Sequence, residues 1–174
     1  KVDAHFGILG PIEVRGQGDL VPRGRALSLL ALLLVHHGAI VPVDRIIDEL
    51  WEADGPEHAR KAVQVVASRL RHVVSEIASE GGGYVLHVVP GGLDAERFED
   101  LVRRGRDESA RGEPAEAAAT LRQALLLWRG PALADVSHER FAQPEIARLE
   151  GLRLAALAIA SWQLPQGTTL VART

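Results

Sequence analysis

Residues 58–76, HARKAVQVVASRLRHVVSE, hold four fixed cations, Arg60, Lys61, Arg69 and Arg71, and no acid before Glu76, within a 174-residue chain of formal net charge −3. Cations interleaved with apolar residues at this spacing describe an amphipathic helix. Wound at about 100° per residue, Val63, Val66, Leu70, Val73, Val74 and Ile77 share one side, while Gln64, Val65, Ser68, Arg69 and His72 gather around Lys61 on the other. Arg60 and Arg71 flank that open side. A helix of this kind fits the DNA major groove. There Lys, Arg, Gln and Ser can pair with base edges, and flanking guanidinium groups can meet phosphates. The alternative for such a charge run is a solvated cationic face that binds nothing.

Other chemistry is poorly represented. There is no cysteine, which removes disulfides, thiolate nucleophiles and cysteine-bound zinc. The seven histidines do not form H-E-x-x-H or another ligand spacing, and no glycine loop is followed by a Walker lysine. The adjacent His36 and His37 close an apolar helical segment, where a capping or surface role is expected. No catalytic residue, metal site or cofactor is expected, and the chain reads as something other than an enzyme. With 47% hydrophobic and 25% charged residues it has globular composition. No apolar run approaches the roughly 20 residues that cross a bilayer, so no membrane partner is expected and a cytoplasmic place of action is.

The elements that would carry the helix follow from hydrophobic period and breakers. Residues 4–22 alternate short β-prone runs with Gly and Pro and predict two or three short antiparallel strands. A buried helix is predicted over 24–37, a short one over VDRIIDELW after Pro42, and a glycine-bounded strand or hairpin in GGGYVLHVVPGG. Trp51 and Trp128 each end an apolar helical segment and read as packing anchors. From Leu93 onward only helical periods remain, broken at RGEP and RGPALADVS, with a last helix predicted in PEIARLEGLRLAALAIASW. Ala117, Leu121 and Ala124 take the spacing of the second helix of a tetratricopeptide-like pair. A boundary is expected in the PGG at 90–92.

In this order, LGPIEV, VPVDRIIDELW, SRLR, GGYVLHV, LDAERFE and LWRGPALADV make the chain resemble the Streptomyces antibiotic regulatory proteins. These are actinobacterial transcription activators that join an OmpR-type winged helix-turn-helix to a helical bacterial transcriptional activation domain. The resemblance spans about residues 5–164. It implies an α+β winged helix-turn-helix DNA-binding domain over 1–90, an all-α tetratricopeptide-like activation domain over 91–164, and an unassigned tail over 165–174. It also implies that the helix around Lys61, Gln64, Val65, Ser68 and Arg69 enters the major groove, with a wing around Gly83 and Tyr84 touching the neighbouring backbone or minor groove. The partners it implies are promoter direct repeats in double-stranded DNA, RNA polymerase holoenzyme, and a second copy on the DNA.

Two further expectations follow. The family has a strand between recognition helix and wing that SEIASE does not suggest, so residues are expected to be missing between Glu80 and Gly81. A chain that opens on Lys1 without any methionine is expected to be part of a longer product, in which ATPase or sensor domains occur in some relatives. Arg69→Ala or Lys61→Ala should weaken DNA binding without unfolding the chain, whereas Val66→Asp should unfold it. The rival reading is a helical-repeat interaction module whose winged helix binds protein.

Overall fold

Seven buried residues in a row, Ser28 to Leu34, make α1 (Arg25–Val35) the central helix of the N-terminal half, apolar on every side because neighbours surround it. The computed structural model describes residues 4–16, 22–51 and 55–162. A third strand in the Gly/Pro-rich start, together with the tail 165–174, falls outside them. Two strands do form there, β1 (His5–Gly7) and β2 (Glu13–Arg15), paired antiparallel with Phe6 opposite Val14.

After β3 (Val41–Pro42), Pro42 caps α2 (Val43–Leu50), which buries Ile46 and Leu50. The next helix, α3 (Pro56–Val73), has Pro56 in its first turn, where a missing N–H costs nothing. Ala59, Val63, Ala67 and Leu70 are its buried stripe, packed on α1 and α2. Val66 is only partly buried. Val66 packs against the core but is not enclosed by it, so Val66→Asp is expected to cost less than an aspartate at a fully buried position of α3. The fully enclosed position is Val63, at 0% exposure.

The helix also ends earlier than its pattern suggests. Val74 is the C-cap in extended conformation, φ −120° and ψ 93°. After a turn at Ser75 and Glu76, the residues IASE form β4 (Ile77–Glu80). They pair antiparallel with β5 (Gly83–Leu86) in the register Ile77↔Leu86 to Glu80↔Gly83. Gly81 and Gly82 make the connection at φ 54° and 77°, the doubly left-handed two-residue turn that favours glycine. The wing hairpin is therefore closed as it stands. The expected gap between Glu80 and Gly81 is corrected: the strand is IASE itself, in which only Ile77 has a strong β preference. The sheet order is β3–β5–β4.

The C-terminal half is helical. α4 (Asp94–Ala110) and α5 (Pro114–Leu125) form an antiparallel hairpin that turns at Gly112, φ 77°. They approach closely where Gly105 faces Leu121; a Cβ on Gly105 would lie 2.7 Å from Leu121 Cγ. Ala117, Leu121 and Ala124 are all fully buried in this contact. Two single-turn 3-10 helices, Ala134–Val136 and Arg140–Ala142, lead to α6 (Gln143–Trp162), which packs on α5 and α4. Trp128 meets Phe98 edge to face at 5.3 Å and lies under the Arg153 guanidinium, while Trp51 is buried under Arg25.

The two halves share one apolar core. Its seam is the loop between β1 and β2. There the Asp94 carboxylate accepts the backbone N–H groups of Ile8 (2.8 Å) and Leu9 (3.1 Å). The N–H of Ile12 donates to Asp135 at 2.7 Å, and Arg129 and Leu133 donate their N–H groups to the carbonyls of Leu9 and Ile8. His37 adds a second tie: Nδ1–H donates to the Leu34 carbonyl at the end of α1, and Nε2 lies 2.9 Å from Glu96 on α4.

Candidate nucleic-acid interface

Burying Ala59, Val63, Ala67 and Leu70 leaves the opposite side of α3 in water, and that side is what the sequence marked. Lys61, Gln64, Val65, Ser68, Arg69, Arg71 and His72 are all exposed, Val65 at 42% despite being apolar. None of the described acidic side chains pairs with Lys61, Arg69 or Arg71. From Lys61 to Arg69 is eight residues, about 12 Å along the helix axis, so the unpaired cations are spread along the face. Gln64 and Ser68 stand between them, able to donate and to accept. His72 donates Nδ1–H to the Ser68 carbonyl at 2.7 Å, which fixes its ring and leaves Nε2 directed away from the helix backbone.

Arg60 differs from the other cations. Its guanidinium is ion-paired with Asp44 in the first turn of α2. Both groups are more than half exposed, so the pair holds little free energy and serves to align the two helices. Asp48 and Glu57 are exposed beside it, and with Asp44 they line a shallow acidic hollow between α2 and α3. That flank of α3 is therefore acidic, in contrast to the Lys61–Arg69–His72 side.

The wing residues are placed differently from expectation. Gly83 is buried in the sheet; a Cβ there would lie 2.2 Å from the carbonyl oxygen of Val41 on β3. Tyr84 is 8% exposed and belongs to the core. β5 is the central strand and is buried along its whole length, so both are enclosed, and the exposed tip of the hairpin is Gly81–Gly82. Gly83→Ala is accordingly expected to lower stability by about 1–3 kcal/mol, since backbone must move to admit the methyl group. The midpoint of chemical denaturation reads this, and an unchanged midpoint would mean that β3 yields without cost.

Near the other end of the fold, His36 is held below its ordinary pKa, first by burial and then by the Arg45 guanidinium, whose Nη2 is 3.1 Å from His36 Nε2. No group of three or more His, Cys, Asp or Glu side chains suited to a metal ion occurs among the described residues. No helix among them is long and apolar enough to cross a membrane.

Known proteins place this arrangement. Residues 19–92 match the family "Transcriptional regulatory protein, C terminal", and residues 93–164 match "Bacterial transcriptional activator domain". The chain is 36% identical to regulatory protein AfsR of Streptomyces coelicolor over 87% of its length and 16% of that protein. It is 35% identical to transcriptional regulator RedD of the same organism and 34% identical to regulatory protein DnrI of Streptomyces peucetius, each over 87% of the chain. It spans 47% of RedD and 61% of DnrI, so these relatives extend well beyond it. A solved structure of Mycobacterium tuberculosis EmbR in complex with a low affinity phosphopeptide superimposes with a TM-score of 0.83 at 29% identity, covering 92% of this chain and 45% of EmbR's. With both matched domains present in this order, the chain belongs to the Streptomyces antibiotic regulatory protein family of transcriptional regulators.

Proposed function

We propose that the chain is the DNA-binding and activating part of a transcriptional activator: α3 lies in the major groove of a promoter repeat while the helical half contacts RNA polymerase holoenzyme. The observation that carries this reading is the open face of α3, where Lys61, Arg69 and Arg71 stand exposed without a described acidic partner in a chain of net charge −3. A merely solvated helix face in an acidic protein would be expected to hold carboxylates among its cations. In this reading residues 1–90 form the winged helix-turn-helix unit and residues 91–164 an activation domain of tetratricopeptide-like design. Lys61, Gln64, Val65, Ser68 and Arg69 face the bases, Arg71 and His72 the adjoining phosphates, and Arg60 reaches a phosphate only by leaving Asp44. Gly81 and Gly82 bring the wing backbone to the neighbouring groove, supported from beneath by Gly83 and Tyr84. Direct repeats engage two copies side by side. The site of action is the cytoplasm, and no step of catalysis is assigned to the chain.

Selection from randomised duplex DNA, repeated at rising salt, tests this. A recovered motif should lose affinity linearly in log–log form, with a slope near −3 if about three phosphates are neutralised. Failure of a folded protein to enrich any sequence would move the function to protein binding.

A further inference from the structure

A second surface lies where none of α1, α2 or α3 contributes. A cleft of about 400 Å³ opens between the β1–β2 sheet, the first turn of α4 and the end of α5. Its floor is internally neutralised. The Arg129 guanidinium sits between Glu13 (3.1 Å) and Asp94 (3.4 Å) and donates to the Pro11 carbonyl at 2.7 Å. Glu13 is shared with Arg15 at 2.6 Å, and the Asp94 oxygens are occupied by the Ile8 and Leu9 N–H groups. Gly7 keeps this floor open, because a Cβ on it would lie 2.5 Å from Arg129 Nη2.

The rim is different. Arg97 is exposed and pairs with no described acid, and the Arg15 side chain is 68% exposed. Beside them Leu126 is 83% exposed, the most exposed large apolar side chain of the described residues. It does not result from a frayed end: Leu126 caps α5 in helical conformation, φ −67° and ψ −16°, with its N–H donated to the Arg122 carbonyl at 3.1 Å. A single exposed leucine is ordinary. One held rigidly at the mouth of a cleft, next to an unpaired guanidinium, is a paired apolar and cationic feature.

We propose that this cleft docks a short acidic segment of a partner protein, one that sets an apolar side chain beside its carboxylates. The carboxylates meet Arg97 and the outer edge of Arg15, where guanidinium geometry suits a bidentate contact, and the apolar side chain lies on Leu126. The rim cations Arg97 and Arg15 call for an anionic occupant, and Leu126 selects an acidic peptide over nucleic acid, whose phosphate backbone would gain nothing from an exposed leucine. The inference is independent of the DNA reading, because it uses no residue of α3.

The test uses the whole chain and a short fluorescein-labelled peptide of glutamates and leucines, followed by fluorescence anisotropy. Saturable binding is expected, absent for the same peptide with lysine in place of glutamate. Arg97→Glu should weaken it at least about tenfold, roughly the 1.4 kcal/mol of one charge-assisted contact, and Leu126→Ser several-fold. Both positions are exposed, so both variants should keep the wild-type melting temperature and the wild-type affinity for selected DNA. No saturable binding to the wild-type chain overturns the proposal, as does binding that Arg97→Glu leaves intact. If unlabelled duplex DNA displaces the peptide and itself requires Arg97, the cleft takes phosphate and the proposal falls with it.

Discussion

The Lys61→Ala, Arg69→Ala double variant is expected to bind its selected DNA about a hundredfold more weakly than wild type, at an unchanged melting temperature. Each side chain projects from the exposed face of α3 and neither packs on the core. Depriving one base or phosphate of its Lys or Arg partner costs about 1–3 kcal/mol, and two such costs at sites about 12 Å apart add. Because both residues are assigned to base edges, the salt slope should stay near the wild-type value while sequence preference relaxes. Arg60→Ala makes the comparison informative, because that guanidinium is already engaged by Asp44 and its removal should weaken binding only a few-fold. Electrophoretic mobility or anisotropy titration at two salt concentrations measures all three variants. Wild-type affinity in the folded double variant would remove α3 as the reading helix.

Asp94→Ala should be the most damaging substitution outside the apolar core. The carboxylate is buried and accepts two backbone N–H groups, from Ile8 and Leu9, while facing Arg129. Alanine strands both donors and leaves a partly buried guanidinium with one fewer partner, which together cost about 3–5 kcal/mol. Asp94→Asn retains one acceptor oxygen and should fall between alanine and wild type. Urea denaturation checks the order. Because the loop holding Ile8 and Leu9 shares its core with α1, the alanine variant should also lose DNA binding although Asp94 is remote from α3's exposed face. A denaturation midpoint equal to wild type would show that the seam is held by its apolar contacts alone.

Much of this architecture is legible in the sequence because its elements repeat a period. Val63 and Leu70 mark the buried side of α3 in its periodicity, with Ala59 and Ala67 completing the stripe in the structure, and the same pattern exposes Lys61, Gln64, Ser68 and Arg69. Three of the strings that carry the family resemblance are neighbours in space. LGPIEV, LDAERFE and LWRGPALADV contribute the loop, Asp94, Arg129 and Asp135, which meet at the seam between the halves. A buried hydrogen-bonded junction constrains residue type at many positions at once, and so leaves a readable mark.

What the sequence hides has equally physical reasons. Val74 and Ile77 are three residues apart and both buried, a spacing that a continuing helix and a turn followed by a strand satisfy alike. The strand IASE is half polar, and only its partner β5 and the Gly81–Gly82 turn reveal it. Gly83 and Tyr84 read as surface because a wing is a surface feature, yet β5 is the central strand, buried at all four positions, and β3 lies directly against Gly83. The clamp of Asp44 on Arg60 joins residues 16 apart on different helices, a pairing that no single-helix projection contains.

The shared core has a consequence on the promoter. If α3 reads DNA as proposed, its union with the helical half through hydrogen-bonded backbone and common apolar packing leaves no swivel between what grips DNA and what the helical half presents. The angular position of that half around the duplex is then set by base-pair count. Inserting about five base pairs, half a turn, between the bound repeat and the start of transcription would carry it to the opposite side of the double helix, and inserting a full turn of about ten would bring it back. Under the proposed reading, activation would follow the phase of the DNA as well as its sequence.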